Sequence, residues 1–315
     1  MTATTRAVGA LQVSPLCLGG NVFGWTADEA ASFAVLDAYT AGGGNFLDTA
    51  DTYSSWVPGN AGGESETVIG RWLARRGRRD DIVLATKVGQ HPDFPGLSAT
   101  NIRRAADASL GRLGVDHIDL YYTHFDDESV PVGEIITALD ELVTAGKVRE
   151  IAVSNISPER LAASLEFSHR EGRARYVAIQ PHYNLVSRDT YEGERAALAA
   201  EWGLAAVPYY ALAAGFLTGK YRPGAQIDSP RSSGAAGHLE TARGRAVLAA
   251  LDETAAARGV VPATIALAWL LAQPTVVAPI ASARTVDQLP PLLAMAELTL
   301  TQAELTRLTE ASNVS

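Results

Sequence analysis

The stretch FLDTADTY, residues 46–53, joins a short apolar run to a polar turn. The run ends in a carboxylate, Asp48, and a phenol, Tyr53, follows five residues later. Consecutive apolar positions are typical of a strand that is covered on both faces, as in a parallel sheet. The polar residues would then lie at the carboxyl end of a buried strand. Either a polar turn or a proton-transfer site accounts for them, and the rest of the chain decides between the two.

Similar apolar runs recur along the chain and alternate with segments of helical apolar spacing. They predict strands at residues 16–19, 45–48, 81–87, 117–123, 148–154, 176–180, 204–210 and 276–280. Eight strand–helix units favour a closed parallel (β/α)8 TIM barrel of the α/β class over an open sheet. The sequence contains no Pro/Ser-rich linker, so residues 1–315 are predicted to form a single domain.

Two segments depart from this repeat. Residues 1–13 precede the first barrel strand and are expected to form a short hairpin that closes the bottom of the barrel. Residues 211–240 form a long Gly-, Ser- and Pro-rich loop after strand 7. Loops of this length are usually functional or disordered, and a mobile lid is the favoured interpretation. Helix starts are indicated by capping boxes at 26–29 and 301–304 and by Ser157 followed by proline.

The composition excludes several classes of partner. The formal net charge of −9 argues against sequence-independent binding of nucleic acid or of an anionic membrane, although a few local cations could still hold an anion. Cys17 is the only cysteine, which argues against a disulfide framework. The histidines lack metal-ligand spacing, so no metal is predicted. No long apolar run is present, and the protein is expected to be cytoplasmic.

Polar side chains end most of the predicted strands. They are Asp48, Lys87, His124, Asn155, Gln180 and Tyr209, spaced at roughly the 30 residues of a βαβ unit. In a parallel barrel these ends share one rim, where active sites form. Asp51, in contrast, is predicted to be a solvated turn residue.

The residue types at this rim suit proton transfer. Tyr53 could act as a general acid if the charge of Lys87 lowers its pKa. Asp48 would hold Lys87, and His124 would form a hydrogen bond at a substrate oxygen. The set suits the protonation of an oxygen that is gaining negative charge, such as a carbonyl oxygen during hydride transfer.

Six fragments in order resemble the aldo-keto reductases across nearly the whole chain: DTADTY, ATKVG, YYTHFDD, GKVREIAVSN, IQPHYN and GFLTGKY. The resemblance implies that Tyr53 is the general acid and that Asp48, Lys87 and His124 assist it. It also implies NADP(H) bound across the barrel mouth, with NAD(H) less expected. Consistent with this, no strand-following G-x-G-x-x-G is found.

The resemblance extends to cofactor contacts. Ser154, Asn155 and Gln180 would hold the nicotinamide carboxamide, and Tyr209 would stack on the ring. The pyrophosphate would be wrapped by Leu212, Gly215, Leu217, Gly219 and Lys220, whose glycines let N–H groups approach phosphate. Ser282 and Arg284 would hold the 2′-phosphate. Gln288 would lie near the adenine or act as a helix cap. The chain departs from the family pattern at Tyr210, at residues 281–282 and at residues 290–292.

The resemblance therefore predicts hydride transfer from NADPH to a small-molecule aldehyde or ketone. Trp25, Trp56 and Phe125 could line an apolar substrate pocket, or could belong to the core. Two alternatives remain: a cofactor-binding regulatory subunit of the same superfamily with little turnover, and a barrel isomerase or lyase that uses Tyr53 and Lys87 without nicotinamide. Neither the physiological substrate nor the oligomeric state follows from the sequence.

Overall fold

The computed structural model describes residues 5–222, 224 and 232–314. One sheet contains eight parallel strands: β3 (Cys17–Gly19), β4 (Phe46–Asp48), β5 (Val83–Val88), β8 (Ile118–Thr123), β9 (Val148–Ser154), β10 (Tyr176–Gln180), β11 (Ala205–Ala206) and β12 (Ile280–Ala281). Their order is β11-β10-β9-β8-β5-β4-β3-β12. The predicted (β/α)8 class is confirmed.

The barrel closes between its seventh and eighth strand segments. The Val277 N–H donates to the Ala206 carbonyl at 2.9 Å, and the Ile280 N–H donates to the Pro208 carbonyl at 2.8 Å. Both segments are less regular than the runs predicted at 204–210 and 276–280. The reason is that Pro208 and Pro279 carry no N–H group and so leave gaps in the ladder of hydrogen bonds.

The sheet is surrounded by helices α1 (Glu29–Ala41), α2 (Glu64–Arg76), α3 (Ala99–Leu113), α4 (Val132–Thr144), α5 (Pro158–Glu171), α6 (Glu194–Trp202), α7 (Ser232–Glu240), α8 (Ala242–Arg258), α9 (Pro262–Leu271), α10 (Leu289–Leu293) and α11 (Gln302–Ser312). Ser157 caps α5, and Thr301 forms the predicted capping box with Glu304. The capping box predicted at 26–29 is wrong, because Asp28 caps α1 by accepting from the Ala31 N–H.

The predicted amino-terminal hairpin is present. Strands β1 (Arg6–Val8) and β2 (Leu11–Val13) pair antiparallel. Val8 and Val13 are buried in the inner barrel cluster, which also contains Cys17. Hydrogen bonds from the hairpin reach residues at the amino ends of β4 and β9, so it covers that end of the barrel. Residues 1–4 of this prediction lie outside the described residues.

Two further segments extend beyond the strand–helix repeat. Strands β6 (Gln90–His91) and β7 (Phe94–Pro95) form an unpredicted hairpin after β5. The loop predicted at 211–240 contains a 3₁₀ helix, Ala213–Thr218, and α7. Residues 223 and 225–231 of the predicted lid lie outside the described residues.

In the described part, no single helix is long and apolar enough to cross a membrane. Only α8 and α9 taken together, across a 99° bend, would meet both criteria.

Candidate active site

Three side chains meet at the carboxyl ends of β4 and β5. Lys87 Nζ donates to Asp48 Oδ2 at 2.7 Å and lies 2.9 Å from the Tyr53 hydroxyl oxygen. Tyr53 reaches this point because the turn after β4 returns its ring over Lys87, whose Nζ lies 4.6 Å from the ring centroid. The structure therefore brings the predicted phenol, ammonium and carboxylate together.

Lys87 is fully buried, and a buried ammonium requires partners that offset the loss of hydration. Besides Asp48 and Tyr53, its Nζ donates to the Thr49 carbonyl at 2.7 Å. The second oxygen of Asp48 accepts from Gln180 Nε2 at 2.9 Å. Both charged groups thus have a full set of partners, which holds them in one geometry.

The proton of Tyr53 is firmly held. Burial of its hydroxyl, and then the negative charge and hydrogen bond of Asp48, raise the pKa of Tyr53 well above its usual range. This is opposite to the direction expected from Lys87 alone. The nearby cation alone would lower the pKa, but the structure places the phenol in a desolvated site beside a carboxylate. Tyr53 therefore enters any reaction at neutral pH as a protonated acid.

His124 follows β8 and lies beside Tyr53, with 5.9 Å between the ring centroids. Burial, and then the charge of Lys87, hold the pKa of His124 well below its usual range. The imidazole is therefore neutral at pH 7 and offers one donor and one acceptor. Its Nδ1 is buried, with no hydrogen-bond partner in the described part of the chain.

The ends of the next three strands carry a connected polar network. Ser154 Oγ donates to the Gln180 carbonyl at 2.8 Å, and Asn155 Nδ2 donates to the His124 carbonyl at 2.9 Å. The Tyr209 hydroxyl donates to Asn155 Oδ1 at 2.8 Å. Asn155 has a φ of 49°, a left-handed conformation that asparagine tolerates better than most residues. The predicted carboxamide-binding residues thus lie together, and Gln180 also orients Asp48.

A cavity of about 730 Å³ opens above these groups, within the usual range for ligand sites. Its lining includes most of the predicted site residues: Trp25, Asp48, Tyr53, Trp56, His124, Phe125, Ser154, Asn155, Gln180, Tyr209, Leu212, Gly215, Lys220, Ser282, Arg284 and Gln288. Trp56 and Phe125 are 49% and 45% exposed, so neither belongs to the core. Trp25 and Trp56 pack edge to face, with centroids 5.6 Å apart.

Comparison with known proteins agrees with this geometry. Residues 15–313 match the model of the Aldo/keto reductase family. The chain belongs to the aldo/keto reductase family. It is 36% identical over 299 residues to the uncharacterized oxidoreductase YrpG of Bacillus subtilis, covering 92% of this chain and 89% of that protein.

Two other relatives are similar over comparable lengths. Norsolorinic acid reductase stcV of Emericella nidulans is 34% identical over 296 residues, covering 89% of this chain and 73% of that protein. Protein tas of Escherichia coli is 33% identical over 307 residues, covering 89% of this chain and 88% of that protein. The family, together with the oxidoreductase YrpG and the norsolorinic acid reductase among the relatives, makes the chain an oxidoreductase enzyme.

Two residues predicted to wrap a pyrophosphate are placed elsewhere in this aldo-keto reductase. Leu217 is fully buried in the larger hydrophobic core. Neither Leu217 nor Gly219 is among the cavity-lining residues of the described chain. The N–H groups of Gly215 and Leu217 both donate to the Leu212 carbonyl, and that of Gly219 donates to the Phe216 carbonyl. These N–H groups therefore already have local carbonyl partners, and the contact of this segment with a pyrophosphate stays a prediction.

Lys220 and Arg284 remain as the cations at this end of the cavity. Within the described residues, neither forms an ion pair with a carboxylate. Ser282 lines the cavity, but its hydroxyl donates to Asn21 Oδ1 at 2.7 Å. Gln288 Oε1 accepts from the Arg284 N–H at 2.9 Å, a local contact that differs from the predicted cap, since Thr285 forms no side-chain cap hydrogen bond.

Several residues of this reductase site were not predicted from the sequence. Asn21 lines the cavity two residues after β3, where the rule of polar strand ends would have found it. Thr26 also lines it, and its hydroxyl is buried without a partner in the described chain. Asp51, predicted to be solvated, is fully buried. The turn sequence carries no signal for that burial, because the side chains near Asp51, such as Glu66 of α2 and Arg112 of α3, are distant from it in sequence.

Proposed function

We propose that this oxidoreductase transfers a hydride from NADPH to the carbonyl carbon of an aldehyde or ketone, with Tyr53 as the general acid. One observation carries the proposal. The Tyr53 hydroxyl lies 2.9 Å from the Lys87 ammonium, which Asp48 holds at 2.7 Å, and Tyr53 and Asp48 both line the cavity. An acid beside a fixed cation is suited to protonating an oxygen that becomes negatively charged.

Tyr53, Lys87 and His124 each have a distinct role in the proposed reaction. When bound, the reduced nicotinamide would supply the hydride. Tyr53 keeps its proton until charge develops on the substrate oxygen and then donates it. Lys87 stabilises the phenolate left behind, since its positive charge is 2.9 Å away. Neutral His124 forms a hydrogen bond with the same oxygen and orients the carbonyl.

The cavity suits a phosphorylated dinucleotide. Ser154, Asn155 and Gln180 offer the donors and acceptors that a carboxamide needs. Lys220 and Arg284 provide two cations without carboxylate partners in the described chain, which favours an anionic ligand at that end. Among the expected 2′-phosphate contacts, Arg284 is the stronger candidate, because the Ser282 hydroxyl already donates to Asn21.

Arg284→Gln is therefore expected to weaken NADPH binding by about 10- to 100-fold, the usual worth of a charge-assisted hydrogen bond. NADH lacks the 2′-phosphate, so its affinity should change by less than about threefold. The measurement is a fluorescence titration of both cofactors against wild type and variant. Arg104→Gln is the matched control, because Arg104 is exposed on α3, outside the cavity lining. An equal loss for both cofactors would remove the assigned role of Arg284.

The function as a whole is tested by titration of wild type with NADPH and NADH, followed by turnover on a panel of aldehydes and ketones. The proposal expects a saturable fluorescence change and steady-state reduction of at least one carbonyl class. Binding without turnover would instead support a regulatory, cofactor-binding role. No binding of either cofactor would favour the isomerase or lyase alternative.

A further inference from the structure

Asp51 is a buried carboxylic acid that the proposed proton transfer does not use. It lies in the turn after β4, two residues before Tyr53, and is fully buried. Its Oδ2 accepts from the Gly89 N–H at 3.2 Å, while its Oδ1 has no partner in the described part of the chain. A buried, incompletely satisfied polar group in a native fold needs an explanation.

The backbone and side chain of Asp51 both bind the end of β5. The Asp51 N–H donates to the Lys87 carbonyl at 3.2 Å, and the Gly89 N–H donates to the Asp51 carboxylate. The two bonds are made by Lys87 and Gly89, the residues on either side of Val88. Lys87 is also the residue that provides the ammonium of the proposed site. The two bonds connect the turn that carries Tyr53 to the strand that carries Lys87.

The surroundings of Asp51 disfavour its charge. Glu66 from α2 is a nearby carboxylate, while Arg112 from α3 is a nearby cation that already pairs with Glu66 at 2.6 Å. Tyr121 of β8 faces the same region, and the backbone of His91 in β6 also interacts with the carboxyl. Burial first, and then Glu66, raise the pKa of Asp51 to about 7.

We propose that Asp51 is a positioning residue, whose two hydrogen bonds to the end of β5 hold the Tyr53 hydroxyl at hydrogen-bond distance from the Lys87 ammonium. This inference rests on the proposed function of that pair. The carboxyl is retained in a costly position because it adds a side-chain hydrogen bond between the turn that carries Tyr53 and the strand that carries Lys87, beside the backbone bonds that already join them. Small shifts in such a geometry have large effects on rate.

The kinetic test compares Asp51→Ala with Asp51→Asn. Asp51→Ala should lower kcat by about 10- to 100-fold, with the Kd of NADPH within about twofold of wild type. Asp51→Asn should stay within about threefold of wild type in kcat, because its amide oxygen still accepts from the Gly89 N–H. A merely structural role would lower the folded fraction and leave kcat per folded enzyme unchanged. A lowered kcat at unchanged NADPH affinity, restored in the asparagine variant, would therefore identify positioning.

Asp119→Asn is the control for a structural role. Asp119 is a buried carboxylate that accepts from the Leu84 N–H, near the start of β5 rather than its end. Asp119→Asn should lower stability and leave kcat within about threefold of wild type. Wild-type kcat in Asp51→Ala, or an Asn variant as slow as the Ala variant, would overturn the inference. An inactive wild type that binds NADPH would count against the proposed function instead.

A second readout does not depend on activity. Because the folded-state pKa of Asp51 is raised, its contribution to stability is complete below the unfolded value of about 4 and is lost as the pH rises through about 7. Asp51→Asn does not titrate, so its Tm relative to wild type should rise between pH 5 and pH 8. A constant Tm difference over this range would mean that burial does not raise the pKa of Asp51, and would overturn its assignment as a buried carboxyl held against the end of β5.

Discussion

Tyr53→Phe is expected to bind NADPH with wild-type affinity and to lose about 10²- to 10⁴-fold in kcat, the usual contribution of a general acid. The ring and its contact with Lys87 are kept, so the substitution removes only the hydroxyl group and the proton it donates. The hydroxyl is 2.9 Å from Lys87 Nζ and 3.4 Å from Asp48 Oδ2. Steady-state kinetics on the best carbonyl substrate, with cofactor affinity from fluorescence titration, measure the two effects separately.

Tyr221→Phe is the matched control. Tyr221 is also a buried tyrosine, and its hydroxyl has no hydrogen-bond partner in the described part of the chain. Loss of that hydroxyl should leave both kcat and cofactor affinity near wild type. If Tyr53→Phe retained normal turnover while Tyr221→Phe also did, the assignment of the acid to Tyr53 would be wrong.

Lys87→Met should both abolish most of the activity and destabilise the fold. The rate falls because no cation remains to stabilise the Tyr53 phenolate. Stability falls by about 3–5 kcal/mol, because the substitution leaves Asp48 as a buried, unpaired carboxylate. Urea unfolding monitored by circular dichroism gives the free energy of unfolding, and steady-state kinetics give kcat.

The double variant Asp48→Asn, Lys87→Met separates these two effects. Removing both charges eliminates the unpaired carboxylate, so the double variant should recover most of the lost free energy of unfolding. Its kcat should remain as low as that of Lys87→Met. Recovery of activity together with stability would contradict the role of Lys87 in catalysis. The Asp48–Lys87 ion pair would then have only a structural role.

Much of the fold could be predicted because its signals are local. A buried parallel strand requires a short apolar run, and the runs ending at Asp48 and Ser154 end in the structure where the sequence predicted. The seventh and eighth strands are shorter than predicted, because Pro208 and Pro279 interrupt their hydrogen bonds with the neighbouring strands. The start of α1 shows the same limit, since Thr26 and Asp28 could each cap the helix and only Asp28 does so.

The candidate site was predictable only as a set of residues. Parallel strands place their carboxyl ends on one rim, so Asp48, Lys87 and His124 could be grouped without coordinates. Their electrostatics could not be predicted, because the pKa of a group depends on its burial and on every charge around it. Tyr53 illustrates this, since the sequence argument considered Lys87 and the structure adds burial and Asp48.

The sequence by itself determined the strand–helix repeat, the residues available at the rim and the family to which they belong. These properties depend on spacing along the chain, which folding does not alter. Only the tertiary structure decided that Asp51 is buried and that the N–H groups after Leu212 bond within their own helix. Those properties arise from contacts between segments distant in sequence and from backbone hydrogen bonds that side-chain identity does not specify.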